Sequence, residues 1–518
     1  MFPYLDSSMA SPRTVVVGLD GGHFELIQPW IDDGKLPNIE RAIETGVSTD
    51  LEAVLPPVTS PNWKSYATGK NPGKLGIFWW ENIDVENERV FYPTERKNAH
   101  TEFWELIGEK ESTGVLGVPT TYPPKPVDGF MVSGAPDGEN SGYTHPESLE
   151  SELEETFDYT VTKRNRLSVN REAAVDEILE LIDSRFRVAK ELADKHDVAF
   201  LQITTFYLNS LHHFLWDDEA TLEGWQIVDE HLGDFLNEDC NLILMSDHGS
   251  TEIETVFNIN TWLEREEYLT LDTGIADYLY RAGITSDRLI RLAYFLRIPR
   301  LAEQLAPERL LRLIPDEHGE LEREAKTDNI DWRRSDALAS GQGPVYLAMD
   351  TDNPRYEQVR SEIISQLQHL SDPSGHPVAD RVFPSEEVYS GLYLEQAPDI
   401  VIDQNTGIHI AGSIGRDDVF STPSDDEWRA ENKRQGMFVA SGPDFSSNVP
   451  DQLSILDLAP MMLHLHGCAV PRDMDGSVPK TIFADGTPPK NRDIEFRSRP
   501  KTAGERQRIR TIARHSSL

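Results

Sequence analysis

Residues 14–22 read TVVVGLDGG, and this stretch decides the fold class. Residues 14–18 form a short apolar run rich in β-branched side chains, which predicts a strand buried on both faces. The run stops at Asp20 and two glycines, where small and acidic residues predict a loop. A helix is expected after the loop, ending before Pro37. A buried strand, a polar loop and a helix in this order are typical of an α/β fold.

Similar units recur along the chain. Apolar strand-like runs occur at 114–118 (GVLGV), 198–205 (VAFLQITT) and 241–245 (NLILM), and residues 175–196 between them have helical spacing. Later strand signals and a late helix lie at 344–349 (PVYLAM), 399–402, 436–440 (GMFVA) and 455–465. The sequence therefore predicts an α/β fold with a largely parallel central sheet and helices on both faces.

The chain has 518 residues, enough for one large catalytic domain, which we place at 12–485. Within it, residues 263–330 are rich in Leu and Arg and carry no strand signal, which predicts a helical insertion. The insertion could cap an active site or be a peripheral elaboration, and the pattern leaves both open. Residues 486–518 are basic, and we expect a disordered tail there; binding to an anionic partner is the alternative.

Composition excludes several classes of protein. The net charge of −40 argues against nucleic-acid binding, because a phosphate backbone would be repelled. Only 15 of the 49 basic residues are lysine, and a Lys-poor acidic surface is typical of proteins from halophilic archaea. No apolar run reaches the ~18 residues of a membrane span, and the N-terminus does not resemble a signal peptide. We expect a cytoplasmic protein without a disulfide framework, whose oligomeric state stays open.

Polar clusters follow three predicted strands. Asp20 follows the first, Asp247 and His248 follow the NLILM strand, and residues 209–213 (NSLHH) follow the VAFLQITT strand. Thr59 lies between them in sequence, in a proline-rich turn. Each residue alone has an ordinary explanation as a cap, turn former or structural histidine. Because ligand sites form at the carboxyl ends of parallel strands, their joint placement favours a site for zinc or a similar divalent metal.

Six stretches in order from residue 14 to about 476 resemble the alkaline phosphatase superfamily. Within it they are most similar to the type I phosphodiesterase/nucleotide pyrophosphatase group, in the branch of predicted phosphohydrolases or phosphomutases. The stretches are VVVGLDGG, LPPVTSPNWKSYATGKNPGKLGIF, GVPTTYPPKPVDGFMVSG, LMSDHGS, GMFVASGPDF and LSILDLAPMMLHLHGCAVPRDMDG.

The resemblance implies a nucleophilic hydroxyl and two metal ions. One ion, Zn²⁺ or Mn²⁺, would be held by Asp20, Thr59, Asp247 and His248, with Thr59 also the nucleophile. A threonine hydroxyl is a weak nucleophile unless a metal stabilises its alkoxide.

Three polar residues near Thr59 are candidates for contacts to the phosphoryl oxygens. They are Asn62, Lys64 and Lys74, and Lys74 is preferred over Lys64. The alternative for both lysines is simple surface solvation.

The second metal position departs from the family pattern. The family places Asp, three residues and then His after the strand ending near Thr205; here His213 fits, but Asn209 replaces the carboxylate. Asn432 occupies the place of the last family histidine, and His409 could substitute from a nearby loop. The protein could therefore hold one ion, or hold a weaker second ion with Asn209 and His213.

The sequence thus predicts a metal-dependent hydrolase of phosphate mono- or diesters acting on a phosphorylated small molecule, with phosphomutase activity as a variant. The alternative is a degenerate family member that binds a phosphorylated ligand with little catalysis. A sulfatase is disfavoured, because Thr59 stands where a sulfatase needs Cys or Ser, and Trp63 stands where it needs Arg.

Overall fold

The computed structural model describes residues 12–167, 169–236, 239–271, 330–423 and 428–498. These residues form two compact units. The first takes its described residues from Met1–Leu75, Thr94–Glu252 and Asp425–Leu518, and the second from Gly76–Pro93 and Ile253–Ser424.

The strands in chain order are β1 (Thr14–Leu19), β2 (Val47–Glu52), β3 (Asn82–Asp84), β4 (Arg89–Phe91), β5 (Thr113–Leu116), β6 (Gly129–Val132), β7 (Thr144–His145), β8 (Phe200–Thr205), β9 (Asn241–Met245), β10 (Gly249–Glu252), β11 (Thr255–Asn258), β12 (Ala337–Ala339), β13 (Pro344–Leu347), β14 (Ala379–Pro384), β15 (Ile400–Gln404), β16 (Ile408–Ala411), β17 (Phe420–Ser421), β18 (Ala430–Lys433), β19 (Gln435–Ser441), β20 (Val470–Pro471) and β21 (Phe496–Arg497).

The α-helices in the described ranges are α1 (Phe24–Asp32), α2 (Pro37–Thr45), α3 (Thr59–Thr68), α4 (Pro72–Leu75), α5 (Thr94–Ala99), α6 (Phe103–Ile107), α7 (Leu149–Phe157), α8 (Arg171–His196), α9 (Tyr207–Leu215), α10 (Glu219–Leu232), α11 (Ile259–Arg265), α12 (Tyr356–His369), α13 (Ser385–Val388), α14 (Ile455–Leu465) and α15 (Pro488–Asn491). Two short 3-10 helices lie at Leu394–Gln396 and Lys480–Ile482.

An eight-stranded sheet forms the centre of the first unit, in the order β2-β19-β9-β1-β8-β5-β6-β7. The central strands β9, β1, β8, β5 and β6 run parallel to one another. Towards the edges, β19 pairs antiparallel with β9, β2 antiparallel with β19, and β7 antiparallel with β6. The predicted largely parallel α/β sheet is confirmed.

The sheet is buried on both faces because its central strands are apolar at successive positions. Val15 and Val17 of β1 point into one hydrophobic cluster, and Val16 points into the cluster on the opposite face. The same alternation holds for Leu244 and Ile243 of β9. Full burial of each such side chain contributes about 1.5–3 kcal/mol, so continuous apolar runs are what a two-faced sheet requires.

The second unit contains two of the strands predicted from sequence. β13 and β15 lie in a four-stranded antiparallel sheet of order β12-β13-β15-β14, and not in the central sheet. Helix α12 contributes Ile363 and Leu367 to the core of this unit. Of the predicted helical insertion 263–330, only its two ends are described, and residues 272–329 lie outside the described residues.

The segment from residue 486 was predicted to be a disordered tail, but it contains regular secondary structure up to residue 498. It contains α15 and β21, which pairs parallel with β20, and Arg497 is hydrogen-bonded to Glu109 at 2.6 Å. This part of the basic segment is packed because strand pairing and an ion pair fix it. Residues 499–518 lie outside the described residues. Among the described helices, none is both long enough and apolar enough to cross a bilayer.

Candidate active site

Two central strands place a cluster of acidic and imidazole groups at one edge of the sheet. Asp20 directly follows β1, and Asp247 and His248 follow the neighbouring β9. Ligand atoms of these three residues lie within 4.8 Å of one another, and all three side chains are buried. His248 Nε2 is 3.2 Å from Asp247 Oδ2 and 3.7 Å from Asp20 Oδ1.

Thr59 is the first residue of helix α3 and joins this cluster. Its Oγ1 is 3.2 Å from His248 Nε2 and 3.5 Å from Asp20 Oδ1. The sequence predicted a turn at Thr59; the structure instead starts a ten-residue helix there. The amide groups and the positive end of the helix dipole therefore lie beside the hydroxyl, where they favour an anionic ligand.

The orientation of His248 presents a lone pair to the cluster. Its Nδ1 lies 2.9 Å from the carbonyl oxygen of Gly249, which accepts the Nδ1 proton. Burial lowers the pKa of His248, so the imidazole is neutral and Nε2 carries no proton. An unprotonated nitrogen thus faces Thr59 and the two carboxylates.

The two carboxylates are placed where they repel each other without a cation. Burial raises the pKa of Asp20 well above its ordinary value, and the charge of Asp247 raises it further. Burial also raises the pKa of Asp247 to about 8. Among the described residues, no donor is hydrogen-bonded to Oδ2 of Asp247. Two buried carboxylates and an unprotonated imidazole nitrogen that converge in this way fit a divalent cation, and the Asp, Asp, His and Thr ligand set suits zinc.

Asn209 is the residue that the family pattern assigns to a second metal position. It is buried near the start of α9, and its side-chain amide lowers the pKa of Asp20 by hydrogen bonding. Its Oδ1 has no hydrogen-bond donor among the described residues. Gly21, with φ +70°, makes room for it, because a Cβ on Gly21 would lie 2.3 Å from Oδ1.

The neighbouring histidines have different surroundings. His213 places Nδ1 2.7 Å from the carbonyl oxygen of Ala430 and stacks on Trp428, with ring centroids 3.8 Å apart. His212 is fully buried and accepts a hydrogen bond from Trp225 Nε1 at 3.0 Å. Burial lowers the pKa of His212 to about 3, so its imidazole is neutral.

Asn432 lies on β18, directly opposite Ser250 of β10. Ser250 Oγ donates to the carbonyl oxygen of Gly21 at 2.8 Å. Paired residues of an antiparallel ladder share a face, so Asn432 projects to the side of Gly21 and Asn209. His409 lies on β16 in the second unit. Asn209 and Asn432 carry neutral amides where the family pattern has a carboxylate and an imidazole, and a neutral amide offsets less of the charge of a divalent cation.

Asn62 and Lys74, the predicted phosphate contacts, both form hydrogen bonds within the chain. Asn62 is buried and bonded to backbone: Val54 N–H donates to its Oδ1, and its Nδ2 donates to the carbonyls of Pro56 and Val58. It holds the turn that precedes Thr59. Lys74 Nζ instead donates to a loop of the chain, at the carbonyl oxygen of Asp473.

Lys64 forms an ion pair with Glu102, away from the cluster. It is fully buried, and its Nζ is 2.5 Å from Glu102 Oε1. The alternative of a surface lysine is wrong here, because the ammonium group lies in the core.

Two neighbours of the cluster were missed by the sequence reasoning. Trp63 donates its indole N–H to Asp20 Oδ2 at 2.8 Å. Glu431 is fully buried on β18, and its charge raises the pKa of His248, opposing the larger effect of burial. A buried glutamate in the polar stretch 431–434 has no apolar periodicity to reveal it. The position of Trp63 could have indicated its contact with the cluster, because it lies one helical turn after Thr59 and therefore on the same face of a helix.

A buried Asp–Asp–His cluster with a hydroxyl, at the carboxyl edge of a largely parallel sheet, defines an enzyme site of the metal-dependent hydrolase class. Residues 14–443 match the family described as type I phosphodiesterase / nucleotide pyrophosphatase. The chain therefore belongs to this family of the alkaline phosphatase superfamily, a superfamily of metal-dependent phosphoryl hydrolases.

Solved structures share the fold. A complex of phosphonoacetate hydrolase from Sinorhizobium meliloti 1021 with phosphonoformate is similar with a TM-score of 0.53 and 15% identity, over 87% of this chain and 94% of that chain. The complex of that hydrolase with phosphonoacetate is similar with a TM-score of 0.53 and 14% identity, over the same shares of the two chains. Comparison with curated proteins gives no match.

Proposed function

We propose that the protein hydrolyses a phosphate mono- or diester of a small molecule, with Thr59 as nucleophile. One divalent cation, Zn²⁺ or Mn²⁺, would be held by Asp20, Thr59, Asp247 and His248. The observation that carries the proposal is the position of Thr59 Oγ1, 3.2 Å from His248 Nε2 and 3.5 Å from Asp20 Oδ1. A threonine hydroxyl placed among metal-ligating groups at a helix N-terminus is suited to attack phosphorus.

The bound cation would supply the positive charge that favours the deprotonated hydroxyl and the anionic phosphoryl group. Thr59 Oγ1 forms a bond to phosphorus, and the ester oxygen on the opposite side leaves with its bonding pair and gains a proton. The N-terminal amides of α3 stabilise charge on the equatorial oxygens. Water then attacks the phosphothreonine: its oxygen bonds to phosphorus, the bond from phosphorus to Thr59 Oγ1 breaks, and a proton restores the hydroxyl. A monoester substrate thus gives phosphate, and a diester gives a phosphate monoester. In a phosphomutase, a second substrate hydroxyl would replace this water.

The proposal includes a single cation because of the groups at the second position. Asn209 and Asn432 are neutral, and neither offsets the charge of a dication as a carboxylate does. The alternative function, binding of a phosphorylated ligand without turnover, is favoured by the same two residues. In two-metal enzymes the second ion stabilises the leaving oxygen, so its loss removes part of the catalysis.

The decisive experiment compares wild type, Thr59→Ala and Ser60→Ala on an aryl phosphate monoester and a bis-aryl diester, with Zn²⁺ or Mn²⁺. Ser60 is the matched control, because its hydroxyl is next in sequence and also buried, with no hydrogen-bond partner among the described residues. We expect Thr59→Ala to lose about 10³-fold or more in kcat, and Ser60→Ala to retain most activity.

Equal residual turnover by wild type and Thr59→Ala would overturn the enzyme proposal. In that case, a rise of the melting temperature with inorganic phosphate and Zn²⁺ would identify the binding alternative. Far-ultraviolet circular dichroism of each variant separates loss of the nucleophile from loss of the fold.

A further inference from the structure

Arg185 is a buried cation without a carboxylate partner in the part of the chain that the structure describes. It lies in the long helix α8 and is 4% exposed. Among the described residues no acidic group forms an ion pair with it, whereas Arg187, two residues on, is paired with Glu180 and Asp183 on the surface. Arginine is almost never fully buried without a counter-charge, because desolvation of an unpaired ion is costly.

The guanidinium group also keeps unused donors. Its Nη2 donates to the carbonyl oxygen of Val161 at 2.9 Å, and its Nη1 lies 3.5 Å from Ser184 Oγ. A guanidinium group has five N–H donors, so the described part of the chain leaves several of them without an acceptor. Its Cζ lies 4.4 Å from the centre of the Tyr159 ring, which offsets part of the charge.

These donors border a small cavity at the carboxyl edge of the sheet. Its lining includes Arg185, Gly117, Thr204, Thr205 and Tyr207. Thr205 ends β8 and pairs with Leu19 of β1, the residue before Asp20, so the cavity lies one strand away from the candidate active site. Its volume of ≈ 10 Å³ accommodates about one water-sized particle.

The surrounding phenols add donors rather than negative charge. The positive charge of Arg185 acts on Tyr143, Tyr159 and Tyr207, whose pKa values burial raises above the ordinary value. They are therefore protonated at neutral pH. The hydroxyls of Tyr143 and Tyr159 are buried without a partner among the described residues. The neutral phenols therefore supply no counter-charge to Arg185, and of the three Tyr207 lines the cavity.

We infer that Arg185 binds a monatomic anion, a halide such as chloride, in this cavity. The charge requirement follows from the guanidinium group, and the volume of ≈ 10 Å³ fits a monatomic anion. The anion supplies the counter-charge that the described residues do not provide and fixes the ends of β5 and β8 beside the site of Asp20. This site is independent of the proposed phosphoryl transfer.

The test compares Arg185→Met with Arg187→Met, which removes the same charge from the exposed side of the same helix. Melting temperatures are measured in sodium chloride, bromide and gluconate at equal ionic strength, at several concentrations. When chloride or bromide replaces gluconate, the melting temperatures of wild type and Arg187→Met should rise by about 2–4 °C more than that of Arg185→Met. This extra rise should saturate as the halide concentration increases. Because all variants meet the same bulk salt effects, the difference between them isolates the cavity.

A halide response that is equal in Arg185→Met and Arg187→Met would overturn the inference. If Arg185→Met does not fold, Arg185→Lys keeps the charge with fewer donors, and its half-saturating halide concentration should rise about tenfold. Crystals of wild type in bromide provide an independent measurement. An anomalous bromide peak beside Arg185 supports the site, and its absence at saturating bromide refutes it.

Discussion

Trp63 donates its indole N–H to Oδ2 of Asp20 at 2.8 Å, and both side chains are fully buried. The contact joins helix α3 to the end of β1. It requires Gly18, because a Cβ there would lie 2.5 Å from Cη2 of Trp63. With Oδ2 held by the indole, Oδ1 is the oxygen of Asp20 that faces Thr59 and His248. Trp63 thus orients a candidate metal ligand from outside the cluster.

We therefore predict that Trp63→Phe weakens Zn²⁺ binding by about 10- to 100-fold, because groups that orient metal ligands have effects of this size. The measurement is competition for Zn²⁺ with a chromophoric chelator. Trp104→Phe is the control, since Trp104 is equally buried and bonds Glu102 rather than the cluster. Equal affinities of the two variants would show that Asp20 needs no indole to orient it.

Asn209→Asp should raise the metal content of the purified protein from one towards two ions per chain. The substitution puts a carboxylate in place of the amide of Asn209, whose buried Oδ1 has no donor among the described residues. The measurement is elemental analysis or native mass spectrometry after dialysis against Zn²⁺. Asn209→Ala is the control, because it removes the amide without adding charge. An unchanged content in Asn209→Asp would mean that residue 209 does not face a second ion.

The sequence was most informative where a physical rule connects pattern to position. Continuous apolar runs predicted β1, β8 and β9, since only two-faced burial tolerates them. Parallel strands end at a common edge, so Asp20 and the pair Asp247–His248 were expected to meet, as they do. Helix α14 matches residues 455–465 because its apolar periodicity and N-terminal serine cap are both local signals.

The sequence was least informative where the role of a residue depends on the direction in which its side chain leaves a helix. Asn62 and Lys64 are near Thr59 in sequence, but α3 turns their side chains towards a backbone turn and a buried glutamate. Lys74 lies beyond the end of α3 and bonds a distant loop. The partners of Lys64 and Lys74 lie 38 and 399 positions away in the sequence, so no local pattern encodes them. The antiparallel placement of β19 likewise depends on long-range pairing.

Asn62→Leu should lower both stability and turnover. Its amide satisfies backbone groups of residues 54, 56 and 58, and loss of these bonds should destabilise the fold by about 3 kcal/mol. Turnover per folded molecule should fall about 10²-fold, because displacement of Thr59 by a fraction of a bond length impairs attack. Urea unfolding and kcat on an aryl phosphate are the two measurements.

The control for this prediction is Asn241→Leu. Asn241 is also buried, and it bonds Asp444 away from the cluster. It should lose stability without a comparable fall in kcat. A similar fall in kcat for both variants would assign the effect to general destabilisation rather than to the turn before Thr59.

Glu102→Gln should destabilise the protein by about 3–5 kcal/mol, because it leaves the Lys64 ammonium buried without a counter-charge. Burial alone would raise the pKa of Glu102, but the charges of Lys64 and Lys125 bring it below its ordinary value. The charge of Glu102 thus stabilises the fold fully at pH values above ~4.3, the pKa of a glutamate in the unfolded chain. This stabilisation is lost as the pH falls through the lower pKa of Glu102 in the folded protein. Urea unfolding of wild type and Glu102→Gln at pH 7 and in acid should show a difference that shrinks in acid. A difference independent of pH would assign the loss to packing, and the double variant Lys64→Met/Glu102→Leu should then be no more stable than Glu102→Gln.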